Sequence, residues 1–190
     1  MVALALTCDY GQRAAEREAL AATRLAHRFG APWCLVDLPW LGDVARRAGS
    51  TLIAGAAALP EGTPEAPGDQ LTAAAVWVPA RNLVLCAVAA AYAEELGAEA
   101  IVAGLNREEA QTFPDNSPEF TAAATSVLRY ACRAPVRVES PTQGLDKVEI
   151  VARARAHGLT SADFWSCYAD GVEPCGRCES CARSARAWRR

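Results

Sequence analysis

Apolar residues fall into short runs that alternate with longer amphipathic stretches, and glycines punctuate the joins. The pattern recurs three times. Arg13 to Phe29 reads as a helix, closes at Gly30-Ala31-Pro32 and gives way to the apolar run Trp33 to Leu38. Arg81 to Leu96 closes at Gly97-Ala98 and leads into Ala100 to Gly104. Asp146 to Ala156 closes at His157-Gly158-Leu159. Glycine just past a helix end supplies the left-handed turn that stops it, and a short apolar run bounded by turns reads as a buried strand. Val2 to Cys8 and Val136 to Val138 are two further strands. Strands alternating with helices predict an α/β fold, a parallel sheet with helices on both faces. In such sheets function gathers beyond the carboxyl ends of the strands. Those places are Asp9 to Arg13, Gly104 to Glu119, and Ser140-Pro141.

Two loops interrupt the pattern. Glu61 to Asp69 is rich in proline and glycine and reads as a surface loop. Phe113 to Glu119 ends as a helix start, with Ser117 as the cap, Pro118 at the first helical position and Glu119 in the first turn. The residues divide into an α/β domain over 1–160 and a cysteine-rich segment over 161–190.

Composition narrows the function classes. Hydrophobic residues make up 52% of 190, enough for a real core. The net charge of −3 does not fit a protein that coats nucleic acid by bulk charge. The longest uncharged stretch, Ala48 to Pro60, has 13 residues and is too short to cross a bilayer. Met1 to Arg13 has no basic leader segment, so the expected compartment is the cytosol. Lys147 is the one lysine among 19 basic residues, a compact point charge in an arginine background.

Of eight cysteines, Cys8, Cys34, Cys86 and Cys132 lie in apolar surroundings and read as core residues. Cys167, Cys175, Cys178 and Cys181 crowd together, with seven, two and two residues between them. In a cytosolic protein that crowding points to metal. Four thiolates close a tetrahedral zinc shell, with Cys181 supplied from the first turn of a terminal helix. An iron–sulfur cluster and bare thiols are the alternatives. A closed shell leaves no open position, so the zinc is expected to be structural. From Arg177 onward the tail carries five arginines against Glu179. It reads as a solvated helix, with an RNA contact as the alternative.

Several segments then converge in order and spacing. They are Asp9-Tyr10-Gly11-Gln12-Arg13, Val78-Pro79-Ala80-Arg81-Asn82, Gly104-Leu105-Asn106 and Phe113-Pro114-Asp115-Asn116-Ser117 with Glu119-Phe120. Asp146-Lys147-Val148-Glu149-Ile150, Trp165-Ser166-Cys167-Tyr168 and Pro174 to Cys181 complete the series. Together they resemble the QueC family of the queuosine pathway, the 7-cyano-7-deazaguanine synthases. The resemblance implies an adenine-nucleotide α-hydrolase-like ATP pyrophosphatase with one structural zinc per chain at the four cysteines. It implies a reaction of 7-carboxy-7-deazaguanine and ammonia, with ATP as co-substrate alongside Mg2+, and a homodimer with no membrane or nucleic-acid partner.

On that resemblance Lys147 and Arg81 are the expected catalytic residues, clamping phosphates as charge builds. Lys147 opens a helix, whose N-terminus adds its own attraction for phosphate. Tyr10, Gln12, Arg13 and Gly104 are expected around the nucleotide, and Asp115 and Asn116 at the edge of the deazaguanine ring. The family's S-G-G-x-D-S motif lies upstream of Asp-Tyr-Gly-Gln and does not occur in this sequence. Its strand would be central, beside Val2 to Cys8. The leading expectation is a misassigned start and a longer natural protein. A strand from another chain, or a non-catalytic zinc-containing relative binding a purine-like ligand, RNA or a partner chain, follows in that order.

Overall fold

A computed structural model describes residues 1–62 and 70–189. Most of the predicted Glu61 to Asp69 loop lies outside the described residues. In chain order the elements are β1 (Ala5–Asp9), α1 (Ala15–Arg28), β2 (Trp33–Asp37), α2 (Pro39–Arg47), α3 (Gln70–Ala75), α4 (Arg81–Leu96) and β3 (Ala100–Val102). They continue with α5 (Arg107–Ala110), α6 (Pro118–Ala131), β4 (Arg137–Glu139), α7 (Lys147–Ala156) and α8 (Glu179–Arg189). Short 3-10 turns cover Pro114–Asn116 and Ser161–Asp163. The α/β reading holds: the strands are parallel, and helices connect them.

The chain forms two compact units. One comprises Met1–Pro79 with Lys147–Arg190; the other is the continuous segment Ala80–Asp146. Each contains one parallel strand pair. In the first, β1 pairs with β2, Ala5 opposite Trp33 and Asp9 opposite Asp37. The indole Nε1 of Trp33 donates to Thr7 Oγ1 at 3.0 Å across the pair. Helix α1 packs on both strands, as its place between them requires. In the second, β3 pairs with β4, Ile101 opposite Val138. Helix α4 packs on β3 and α6 on β4. Cys86, Ala90, Ala93, Ala124, Leu128, Val136 and Val138 form their common core.

The three predicted hinges are present: Gly30, Gly97 and Gly158 all have positive φ. Ser117 caps α6 as expected, its Oγ accepting from Phe120 N–H at 3.2 Å. The pattern did not announce α2. Gly42 sits inside that helix at a cost in helix propensity. A Cβ there would lie 2.0 Å from the Tyr10 carbonyl oxygen, so glycine is what lets α2 lie against the Tyr10 backbone.

Two expectations need correcting. Of the four scattered cysteines, only Cys86 is fully buried; Cys8, Cys34 and Cys132 are half-buried. The terminal helix is not simply solvated, because Arg183 is 6% exposed and Glu179 is 4% exposed. The two side chains form an ion pair one turn apart. Arg155 stacks over Trp188 and donates to its carbonyl at 2.6 Å, tying α7 to α8.

Candidate active site and metal centre

The four cysteines lie in the first unit, on the irregular segment that leads into α8. Cys167 and Cys178 are 1% exposed, and Cys181 comes from the first turn of the helix. The four Sγ atoms all lie within 4.8 Å of one another. A tetrahedral thiolate shell needs sulfur separations of about 3.8 Å, and Cys175 Sγ already lies 3.9 Å from Cys181 Sγ. Backbone N–H groups point at the sulfurs. Ala169 and Cys175 each donate to Cys167 Sγ at 3.3 Å, and Cys178 donates to Cys175 Sγ at 3.4 Å. Such donors favour the thiolate form a metal requires.

As bare thiols the four differ. Burial pushes Cys178 up and Cys181 well up, each beside neighbouring thiols. Burial also raises Cys175, but the backbone N–H groups of Arg177 and Cys178 and the adjacent thiols outweigh it and bring it down to about 7. Four converging sulfurs can hold a metal ion. The knuckle is braced from a distance: Glu61 forms an antiparallel bridge with Cys178, and Gly62 N–H donates to the Arg177 carbonyl at 2.8 Å. A Cβ on Gly62 would meet the Glu179 Cα at 2.2 Å, so glycine permits this approach.

Also in the first unit, the Asp9 to Arg13 turn follows β1 and spends its polar groups on itself. Asp9 Oδ1 accepts from Gly11 N–H at 2.8 Å. Gln12, 6% exposed, accepts from Tyr10 N–H at 2.9 Å and donates to the Cys8 carbonyl and to Glu18 Oε2, both at 3.0 Å. The Arg13 guanidinium donates to the carbonyls of Thr51 at 2.9 Å and of Ala56 and Ala57 at 2.7 Å. Arg13 thus holds the turn to the 50–57 segment, while Gln12 ties it to the end of β1 and to α1. Tyr10 is buried within the same turn. Lys147 opens α7.

The second unit gathers its polar residues beyond the carboxyl ends of β3 and β4. Gly104 is exposed, with open space where a side chain would be. Asn106 caps α5, its Oδ1 accepting from Glu109 N–H at 3.0 Å. Ser140 Oγ and Thr142 Oγ1 both donate to the Leu105 carbonyl at 2.7 Å, stitching the loop after β4 to the loop after β3. Arg81, at the start of α4, donates from Nε to Asn82 Oδ1 at 3.1 Å. Asn82 in turn donates to the Asp115 carbonyl at 3.2 Å. The structure therefore brings Arg81, Asp115 and Asn116 into one network. Burial pushes the Asp115 carboxyl above the usual carboxylate range, against the pull of the Arg81 charge and a hydrogen bond from Asn116. Ala80 precedes Arg81 in the left-handed region, at φ 55°, the one such residue that is not glycine among those described. Backbone strain of this kind collects at functional sites.

Sequence reasoning missed two members of the network. Asn82 is buried and bridges Arg81 to Asp115. Gln143 donates from Nε2 to the Asn116 carbonyl at 2.6 Å. Asn82 was within reach, as part of the Val78 to Asn82 segment. Nothing in the turn-rich Ser140 to Gly144 tract signals Gln143.

The sequence has relatives over nearly its whole length. Residues 2–190 match the sequence model of the family described as "Queuosine biosynthesis protein QueC". A protein of Desulforudis audaxviator named 7-cyano-7-deazaguanine synthase is 49% identical over 192 residues, covering 99% of this chain and 86% of its own. Similarly named proteins of Pelotomaculum thermopropionicum and Methanosarcina mazei are 45% and 37% identical, covering 98% and 99% of this chain and 85% and 83% of their own.

Proposed function

The chain belongs to the QueC family of queuosine biosynthesis proteins, and on that premise we propose that it makes 7-cyano-7-deazaguanine. The observation that carries the reading is the near full-length identity to proteins of that name, at up to 49% among those compared. The substrates are 7-carboxy-7-deazaguanine, ammonia and ATP, which makes the protein an ATP-dependent carbon–nitrogen ligase. Because a carboxylate repels nucleophiles, one of its oxygens must first attack the α-phosphorus of ATP, which breaks the bond to the departing pyrophosphate and leaves that oxygen carried on AMP. Ammonia then displaces it and loses a proton, giving the amide. A second ATP takes the amide oxygen in the same way, releasing pyrophosphate; the two N–H protons then depart, the oxygen leaves on AMP, and C≡N remains.

Positive charge must meet the phosphates as these oxygens leave. Arg81 and Lys147 take that role, Lys147 with the help of the α7 N-terminus. Tyr10, Gln12, Arg13 and Gly104 belong to the nucleotide side; Gln12 and Arg13 act there by fixing the turn. Asp115 and Asn116 hold the edge of the deazaguanine ring. Mg2+ accompanies ATP and supplies further charge neutralisation.

The four-cysteine centre would hold zinc, since four converging cysteine sulfurs, three of them buried, are the donor set of a structural zinc site. Its role is to hold α8 and the Cys167 to Cys178 segment in place. The protein works in the cytosol as a homodimer. Among the described residues no helix is long and apolar enough to cross a membrane.

The test is ATP consumption by the purified protein with each substrate in turn. Hydrolysis that requires both 7-carboxy-7-deazaguanine and ammonia, with the nitrile seen by mass spectrometry, is the expected result. ATP turnover indifferent to the deazaguanine would overturn it.

A further inference from the structure

The polar network around Asp115 leaves two buried atoms unsatisfied. Among the described residues neither Gln143 Oε1 nor Thr112 Oγ1 has a hydrogen-bond partner, and both atoms are shut off from solvent. A buried polar group without a partner carries a desolvation penalty, and native proteins rarely keep one without a reason. Here two occur on one loop system. Thr112 stands three residues before Asp115, and Gln143 is bonded to Asn116.

The Gln143 side chain is not adrift. Its loop is pinned by Gln143 N–H donating to the Ser140 carbonyl at 3.1 Å and by Leu145 N–H donating to that of Thr142 at 2.9 Å. Ser140 and Thr142 are themselves bonded to the Leu105 carbonyl. The bond from Nε2 to the Asn116 carbonyl also fixes which way the amide faces. Flipping it would set two carbonyl-type oxygens against each other at 2.6 Å. Oε1 is therefore held as a pre-oriented acceptor that cannot exchange roles with the amide nitrogen. An acceptor fixed in this way selects for a donor, and a site built on such a group rejects analogues that lack it. A guanine-type ring presents donors on its edge, the ring N–H and the exocyclic amine.

We propose that Gln143 is a specificity-determining residue for the guanine-like ring, its Oε1 accepting a hydrogen bond from a ring N–H or the exocyclic amine while its Nε2 holds the Asn116 turn. This rests on the reading that the protein handles a deazaguanine.

The experiment is calorimetric titration of the 190-residue protein with 7-carboxy-7-deazaguanine, and separately with ATP, for the wild type and Gln143→Met. Methionine keeps the length of the side chain and removes both polar atoms. We expect ring affinity to fall about tenfold, the scale of one hydrogen bond, while ATP affinity changes by less than about twofold. Two ring analogues sharpen the result, one lacking the exocyclic amine and one methylated at the ring N–H. One of them should lose affinity for the wild type by a similar factor and lose nothing further in Gln143→Met. Unchanged ring affinity in Gln143→Met overturns the proposal. So does a parallel loss of ring and ATP affinity, which marks a merely structural role. Should Gln143→Met fail to fold, the wild type decides alone: indifference to both analogues overturns the proposal, and loss with one supports it. A wild type that binds the ring but makes no nitrile refutes the proposed reaction and leaves Gln143 its role. A wild type that binds no ring refutes both.

Discussion

At the four cysteines, side chains of one kind converge on one point, and backbone N–H groups already face the sulfurs. Around Asp115 the groups are mixed. A guanidinium, three carboxamides and a carboxyl come from different segments, and two nearby buried polar atoms have no partner among the described residues. The first arrangement demands a compact cation and little else. On the proposed function, the second would meet a flat molecule with donors and acceptors on its rim. The two also differ in strain. The metal segment turns at glycines, Gly176 among them, whereas Ala80 beside Arg81 holds a left-handed backbone with a Cβ. On the proposed function, one region would be completed once by an ion, and the other repeatedly by a ligand.

Metal removal should separate them most widely. Stripping the ion with a strong chelator, or replacing Cys178 with alanine, should abolish stoichiometric metal and lower Tm by about 10 °C, since structural sites contribute several kcal/mol. Hydrogen exchange should speed up across Glu179–Arg189 and change little across Ala80–Asp146. An unchanged Tm in metal-free protein would remove the structural role from the cysteines.

A smaller effect is expected at Asp115. Burial favours its neutral form, so the fold keeps that proton to a higher pH than the unfolded chain does. The unfolded carboxyl ionises near pH 3.9, about the ordinary value. Above that pH the fold must either retain the proton or bury a charge, so this residue's contribution to stability falls as pH rises. Asp115→Asn should therefore raise Tm at pH 7 and leave it unchanged near pH 3, where both side chains are neutral. Its affinity for the deazaguanine should fall even as it becomes more stable. A variant less stable than wild type at pH 7 would mean that the Arg81 attraction outweighs burial.

The smallest effect belongs to Ala80→Gly. Relief of the left-handed alanine is worth about 1 kcal/mol, less what glycine loses in chain entropy. Thermal melting should show a rise of about 2 °C, without change in metal content.

What the sequence disclosed follows the same division. The metal centre was legible because its ligands lie within 15 residues and their spacing carries the geometry. Helix α4 was legible from end to end, since Gly97 stops it locally. The Asp115 network was only half legible. Its bonds join Asn82 to Asp115 and Asn116 to Gln143 across 33 and 27 residues, which no local pattern encodes. Arg13 read as a cation for phosphate, and no spacing could show its guanidinium spent on three carbonyls. Arg183 read as solvated, although Glu179 one turn earlier was the available sign of an ion pair.

The division of the chain into units also orders its assembly in time. Ala80–Asp146 is continuous and can close on itself during translation, as soon as Asp146 has emerged. The unit containing Met1–Pro79 has to wait for the segment that begins at Lys147. The bridge from Glu61 to Cys178 can form only when most of the protein has been made. At roughly 5–20 residues per second, the 35 residues from Asp146 to Cys181 take about 2–7 s to synthesise. For that interval the nascent N-terminal segment waits for its partner, and a metal ion bound at the four cysteines would be the late step that closes a region translated first.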